Sequence, residues 1–361
     1  MIASGVLTAV SIMIGLTAVA LAVLVAGTKA LRTRRRRSLA VAVTPHRWAL
    51  LAVASGEDAD ASGAAHLIAV AGGDWRSLAP DVITMLSKIR GGPAEDLVDV
   101  LRRQGDIERA VTFLRSHSTV RRARAAHLLG LVHDVPHVPD LVPLLSDRSR
   151  EVRLVAVRAL GAIGDPSAAN DILLALRTTR RQVPVPAHVA AEALLAMGVG
   201  TGPALREALN SEDPLVRDVA AVVAGHINLL SAAPRLQELL HGDPDPQVRI
   251  SAVRALELVG GAADVARVAA VTSDGAGPAP LRRACAAALG GLGHPDAAQP
   301  LAALLGDPDR RLAQIAAESL TLLGATGVEQ LMRASPATPA GRAARAALAA
   351  TRLRSITAAD E

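Results

Sequence analysis

From residue 113 onward the chain repeats one arrangement: a turn with Asp or Gly, then Val-Arg, then an alanine-rich stretch ending in Leu-Gly. Asp147-x4-Val152-Arg153 runs to Ala159-Leu160-Gly161, and Asp213-Pro214-x-Val216-Arg217 runs to Gly225. Asp243-x4-Val248-Arg249 continues to Ala255-Leu256. Val152 and Val216 are 64 residues apart and Val216 and Val248 are 32 apart, so the unit is about 32 residues, the size of a helical solenoid repeat. A unit of that size cannot bury both of its faces alone. The stack is the folded object, and it offers an extended surface rather than one enclosed pocket.

The side chains available for a core agree. Half of the residues are apolar, yet there is one Phe, two Trp and no Tyr. Ala, Leu, Val and Ile must fill the interior, which suits close-packed helices and not a sandwich of aromatic, β-branched strands. Within a unit, Val152, Val155, Ala156, Ala159 and Leu160 recur three and four apart and form one apolar stripe. Asp165-Pro166, Asp213-Pro214 and Asp245-Pro246 each place a capping carboxylate before a proline at the first helical position. Gly161, Gly164 and Gly290 come where a helix is expected to stop and reverse.

The N-terminal segment is a different material. Ile2 to Thr28 carries no charge, and a run of that length crosses a hydrocarbon layer of about 30 Å. Lys29, Arg32, Arg34, Arg35, Arg36 and Arg37 follow at once. A secretory signal would place its basic residues before a shorter apolar run. The expectation is therefore a single-pass helix at the cell membrane, N-terminus outside and the rest in the cytoplasm. Ser11 and Gly15 are spaced to seat a second copy of this helix, which would make a homodimer.

Location decides the meaning of the net charge of +5. Residues 1 to 37 hold six basic side chains and no acid, leaving 33 basic against 34 acidic for the remainder. The basicity is a collar that suits anionic lipid headgroups. The near-neutral, aromatic-poor body argues against nucleic acid as a partner.

The organisation read from these signals is a transmembrane helix (1–28), a basic juxtamembrane linker (29–43), a helical cap or degenerate repeats (44–112), the repeat array (113–353) and a polar tail (354–361). Helices are expected from Thr44, over Glu57 to Val70, Trp75 to Ile89, Pro93 to Arg103, Asp106 to Arg115, and last over Pro339 to Leu353.

No motif carries chemistry. There is no phosphate-cradling loop, His-Glu-x2-His helix, Cys-x2-Cys pair or Gly-x-Ser-x-Gly elbow. His127, His133 and His137 with Asp134 and Asp140 fit no zinc spacing and read as loop residues. The Asp-rich turns at 243 to 246 and 307 to 309 lack a calcium loop's ligands. Cys285 excludes an internal disulfide and reads as a small buried helix residue. No catalytic residue, metal or cofactor is assigned.

The pattern Asp-x4-Val-Arg-x2-Ala-x3-Leu-Gly resembles the HEAT repeat, in particular the type related to phycobilisome lyases, over residues 113 to 353. The resemblance implies an all-α, armadillo/HEAT-like α-solenoid of antiparallel helix pairs wound into a superhelix, here preceded by the transmembrane helix. In that family the turn Asp and the Arg tie neighbouring units. By that resemblance the pairs are Asp147 with Arg153, Asp213 with Arg217 and Asp243 with Arg249, with Arg282 in the same slot one unit on. Units 181–210 and 307–324 lack the arginine, so the ladder is expected to be interrupted there, and the irregular 181–188 stretch is either a groove or drift. The function expected is a membrane-tethered, non-catalytic scaffold for a membrane-associated protein. The alternative is a HEAT-fold enzyme or enzyme subunit, as in phycobilin lyases.

Overall fold

The computed structural model describes residues 44–177, 184–275, 277–335 and 337–357, with side chains as far as Thr351. The apolar run and its basic collar, Lys29 to Arg37, lie outside the described residues, as do Arg181 to Val183 of the irregular turn. Among the described residues no helix is long and apolar enough to cross a membrane, and no strand occurs.

The chain divides into two compact units, the first ending at Ala110 and the second beginning at Val111. The first contains α1 (Arg47–Ser55), α2 (Ser62–Ala69), α3 (Gly72–Leu86) and α4 (Gly92–Arg103); α5 (Asp106–Leu114) follows. The helix expected over Glu57 to Val70 starts later, because Asp58 serves as a cap. Its carboxylate accepts from the N–H groups of Gly63 and Ala64 at 2.7 and 2.8 Å. At the other end of α2, the Gln104 amide donates to the carbonyls of Leu67, Ile68 and Val70, each at 2.9 Å. Leu67, Leu78, Val82, Leu97 and Leu101 form the core, with Trp75 beside them donating its indole N–H to Asp106 at 2.7 Å.

The second unit is a series of helix pairs. They are α6 (Thr119–Leu131) with α7 (Val138–Leu141), α8 (Arg150–Ile163) with α9 (Ala169–Leu174), and α10 (Ala187–Met197) with α11 (Gly202–Ala208). Then come α12 (Pro214–His226) with α13 (Ala233–Gly242), α14 (Pro246–Val259) with α15 (Ala262–Ser273), and α16 (Ala279–Gly291) with α17 (Ala298–Ala303). The last are α18 (Arg310–Leu322) with α19 (Gly324–Arg333), followed by α20 (Pro339–Thr357). Each long helix packs on the next long helix, and each short helix packs on the long helix that follows it in the chain. Most of the stripe read from sequence is buried: Val152, Ala156, Ala159 and Leu160 of α8 are at most 3 % exposed, while Val155 is only half-buried and Val157 joins the core in its stead. Burying a leucine such as Leu160, Leu194, Leu256 or Leu289 stabilises the stack by about 1.5–3 kcal/mol.

The Asp-Pro caps form as the residues dictate. Asp213 accepts from the Leu215 N–H at 2.9 Å, and Asp245 accepts from the Gln247 N–H at 2.7 Å. Asp165 accepts from the Ser167 N–H at 2.9 Å, on a short 3-10 turn. The glycines divide into two jobs. Gly164 caps α8 with a left-handed φ of 78°, as expected of a stop. Gly161 and Gly290, by contrast, lie inside α8 and α16. They stop nothing; they let a neighbouring helix come close. A Cβ on Gly161 would sit 2.7 Å from the Ala193 Cα, and one on Gly290 would sit 2.8 Å from the Ser319 Cα. Gly130 and Gly225 do the same against Ala159 and Ala255.

Candidate functional site

The long helices can be aligned on the residues that precede them: Ser118, Ser149, Asp213, Asp245, Pro278 and Asp309. Three columns then matter. One holds the arginines of the Val-Arg pair, one the close-approach glycines, and one, halfway along, small buried residues.

The arginine column makes the clasps, and the partners differ from those expected. Arg122 donates to both carboxylate oxygens of Asp147, in the following unit, at 2.7 and 2.9 Å. Arg217 does the same to Asp243, also one unit on, at 2.7 and 2.8 Å. The third nitrogen of each fork donates to two carbonyls: Ser116 and His117 for Arg122, Ser211 and Glu212 for Arg217. Arg282 reaches Asp307 at 2.6 Å, and Arg283 beside it takes both oxygens of Asp309. The expected pairs within a unit take other forms. Arg153 donates to the backbone carbonyl of Asp147 at 2.8 Å, Asp213 spends its carboxylate on its cap, and Arg249 donates to the Leu240 carbonyl at 2.8 Å. The reason is geometric. Asp213, as N-cap, spends its carboxylate on the first turn of its own helix, whereas Asp147 and Asp243 lie two residues before their N-caps and are taken by the arginine that projects from the preceding unit. Asp307 is accordingly clasped although its own unit carries Ala313 in the arginine slot.

Each turn aspartate also accepts the N–H of its own helix's capping residue: Ser149, Asp245 and Asp309, at 2.8, 2.9 and 2.8 Å. Burial alone would push the Asp147 and Asp243 carboxyls upward. The arginine hydrogen bonds, the backbone N–H and the arginine charge outweigh it and hold both below the ordinary carboxylate value. The carboxylates are therefore locked in the charged form.

The glycine column is broken at three places. Gly130, Gly161, Gly225 and Gly290 occupy it in α6, α8, α12 and α16, but α10 carries Leu195, α14 carries Glu257 and α18 carries Thr321. The last two line one groove of about 820 Å³. Its lining comes from four consecutive long helices, among them Ala287 of α16, Ile315 and Leu322 of α18, and Ala343, Ala346 and Ala350 of α20. Along one edge the polar groups are matched to one another: Arg311 donates to Gln314 at 3.0 Å, and Gln314 donates to Glu318 at 2.8 Å. Glu257 also lines the groove, half-buried, and a Cβ on Gly291 would run into its carboxylate. Burial raises its pKa, with the charge of Arg254 pulling back only in part. Nothing in the 32-residue refrain marked this residue. Only the helix columns show that it stands where glycine is the rule.

Comparison with known families bears on the same residues. HEAT repeats match residues 107–195 and 202–278, and the PBS lyase HEAT-like repeat matches residues 281–307. The chain is a HEAT-repeat protein. No curated protein sequence matches it. Among solved structures it is similar to human deoxyhypusine hydroxylase in complex with glycerol, at 24% identity over 68% of this chain and 95% of that one, with a TM-score of 0.31. It is similar also to the complex of CpcE and CpcF of phycocyanin lyase from a Nostoc species, at 22% identity over 67% and 94%, with a TM-score of 0.32. A third is YibA of Escherichia coli, at 18% identity over 71% and 98%, with a TM-score of 0.40.

Elsewhere in this HEAT-repeat protein the side chains weighed for chemistry are dispersed. His137 bonds to Asp134, His133 meets the Ala162 carbonyl at 2.6 Å, and Asp140 pairs with Arg115 at 3.3 Å. Among the described residues no three metal-ligating side chains converge. Cys285 is fully buried, and burial pushes its thiol up to about 12. It occupies the column held by Ala156, Ala220, Ala252 and Ala316 in the other long helices, a packing position.

Proposed function

We propose that this HEAT-repeat chain is a non-catalytic adaptor, tethered to a membrane by residues 2–28 and docking a membrane-associated protein on its helical array. The groove across α14, α16, α18 and α20 carries the reading. It is open and floored by alanine, with Leu322 64 % exposed at its rim, and its edge groups Arg311, Gln314 and Glu318 are bonded to each other rather than aimed at a reacting centre. A surface of that kind suits a polypeptide segment. The tether rests on the uncharged run and its following basic collar, which also suits anionic headgroups.

A photo-crosslinking residue at Ala346 in the full-length chain, irradiated in native membranes, tests this. One discrete protein adduct is expected, absent when the same residue replaces Gly242, which faces open space. No adduct at Ala346, or equal adducts at both sites, would overturn the docking face. Extraction of the full chain by alkaline carbonate would remove the tether.

A further inference from the structure

We infer that the groove takes a helical segment of the partner carrying one Lys or Arg within an apolar stripe, and that Glu257 receives that cation. This rests on the adaptor reading above and gives the partner its chemistry.

The first argument is the broken column. At this register the fold uses glycine to bring successive long helices together, as Gly225 meets Ala255 and Gly290 meets Ser319. A glutamate there puts a carboxylate over Gly291, at a register where four other long helices carry no side chain. Departures from local consistency of this sort mark functional positions. Thr321, which also replaces the glycine, opens onto the same groove.

The second argument is the unspent carboxylate. Among the described residues Glu257 makes no hydrogen bond and no ion pair; Arg254 acts on it only through its charge. Half-burial without a partner is costly for a carboxylate, and a charge-assisted hydrogen bond from a bound cation relieves it. An anionic headgroup or an acidic peptide would be repelled instead.

The third is shape. Ala343, Ala346, Ala347 and Ala350 line up about one helical turn apart along α20 and line the groove together with Ala287. A floor of small side chains admits a helix backbone closely, and Ile315 and Leu322 supply apolar contact. Four long helices spaced about 8–10 Å apart give a track of roughly 25–30 Å, enough for about five turns of a bound helix.

The test uses the Ala346 crosslinker in the full-length, membrane-embedded protein. Glu257→Gln, close to isosteric, is expected to reduce the adduct roughly tenfold, the loss of one charge-assisted hydrogen bond. Glu257→Arg is expected to abolish it, with the thermal midpoint of each variant measured to show that the array is intact. Sequencing of the trapped segment is expected to find a Lys or Arg flanked by apolar residues at helical spacing. An adduct undiminished by Glu257→Gln, or a trapped segment without a basic residue, overturns this inference and leaves the adaptor standing. Loss of the adduct in the unsubstituted chain overturns both.

Discussion

Arg217 holds both carboxylate oxygens of Asp243 from the preceding repeat, with side-chain exposures of 8% and 1%. A buried bidentate pair is costly to break from one side, because the partner is left charged and desolvated. Arg217→Met or Asp243→Leu alone is expected to cost about 3–5 kcal/mol. The double variant is expected to recover most of the loss, since two apolar side chains replace two charges. Urea denaturation of the four proteins checks this; a double variant no better than the singles would contradict it.

The same pairs set an acid limit. The folded pKa values of Asp147 and Asp243 lie below those of the unfolded chain, so their contribution is fully present above the unfolded value of about 4. It is lost as pH falls through the lowered folded values, where the unfolded chain binds more protons. The denaturation midpoint is expected to hold from neutrality to about pH 5 and to decline below pH 4. In the Arg217→Met, Asp243→Leu protein the decline is expected to be shallower.

Glycines of similar sequence setting are expected to respond in opposite directions. Gly225→Val drives side-chain atoms into α14, since even a Cβ there would lie 2.8 Å from the Ala255 Cα, and should cost about 1–3 kcal/mol. Gly242→Ala ends α13 in open space and should stabilise by about 0.4–1 kcal/mol through the unfolded chain. Thermal midpoints distinguish the two.

Cys285 is expected to be inert. With its thiol raised to about 12 by burial, a disulfide reagent at pH 8 should label the native protein only on the timescale of opening, and the urea-unfolded protein at once. Cys285→Ala places in α16 the residue its column carries elsewhere and should cost about 1 kcal/mol or less. Rapid native labelling would mean that α16 is not packed as described.

Much of this was legible without coordinates, and the reason is local chemistry. An Asp before a Pro caps whatever helix follows, so Asp213 and Asp245 could be placed from their neighbours alone. What failed was everything decided by the adjacent unit. Asp213 and Arg217 are close in sequence, yet Arg217 finds its carboxylate in the next repeat. Gly161 follows an apolar run and looks like a stop, but it is a contact made visible only by Ala193. Glu257 is one glutamate among many until the helices are stacked and its column is seen to be glycine. The anchor and its collar remain a reading of residues 2–37 by themselves.

The clasps also give the array a grain. A cut between α9 and α10, or between α15 and α16, leaves Arg122 with Asp147, Arg217 with Asp243 and Arg282 with Asp307. A cut between α13 and α14 keeps Arg217 and Asp243 on one piece only if the turn goes with α13, which then robs α14 of the residue that receives the Asp245 N–H. Protease, recombination or a truncated clone all meet the same seams. The workable modules of this protein are bounded by where its charges are shared, and those bounds are offset from the repeat visible in its sequence.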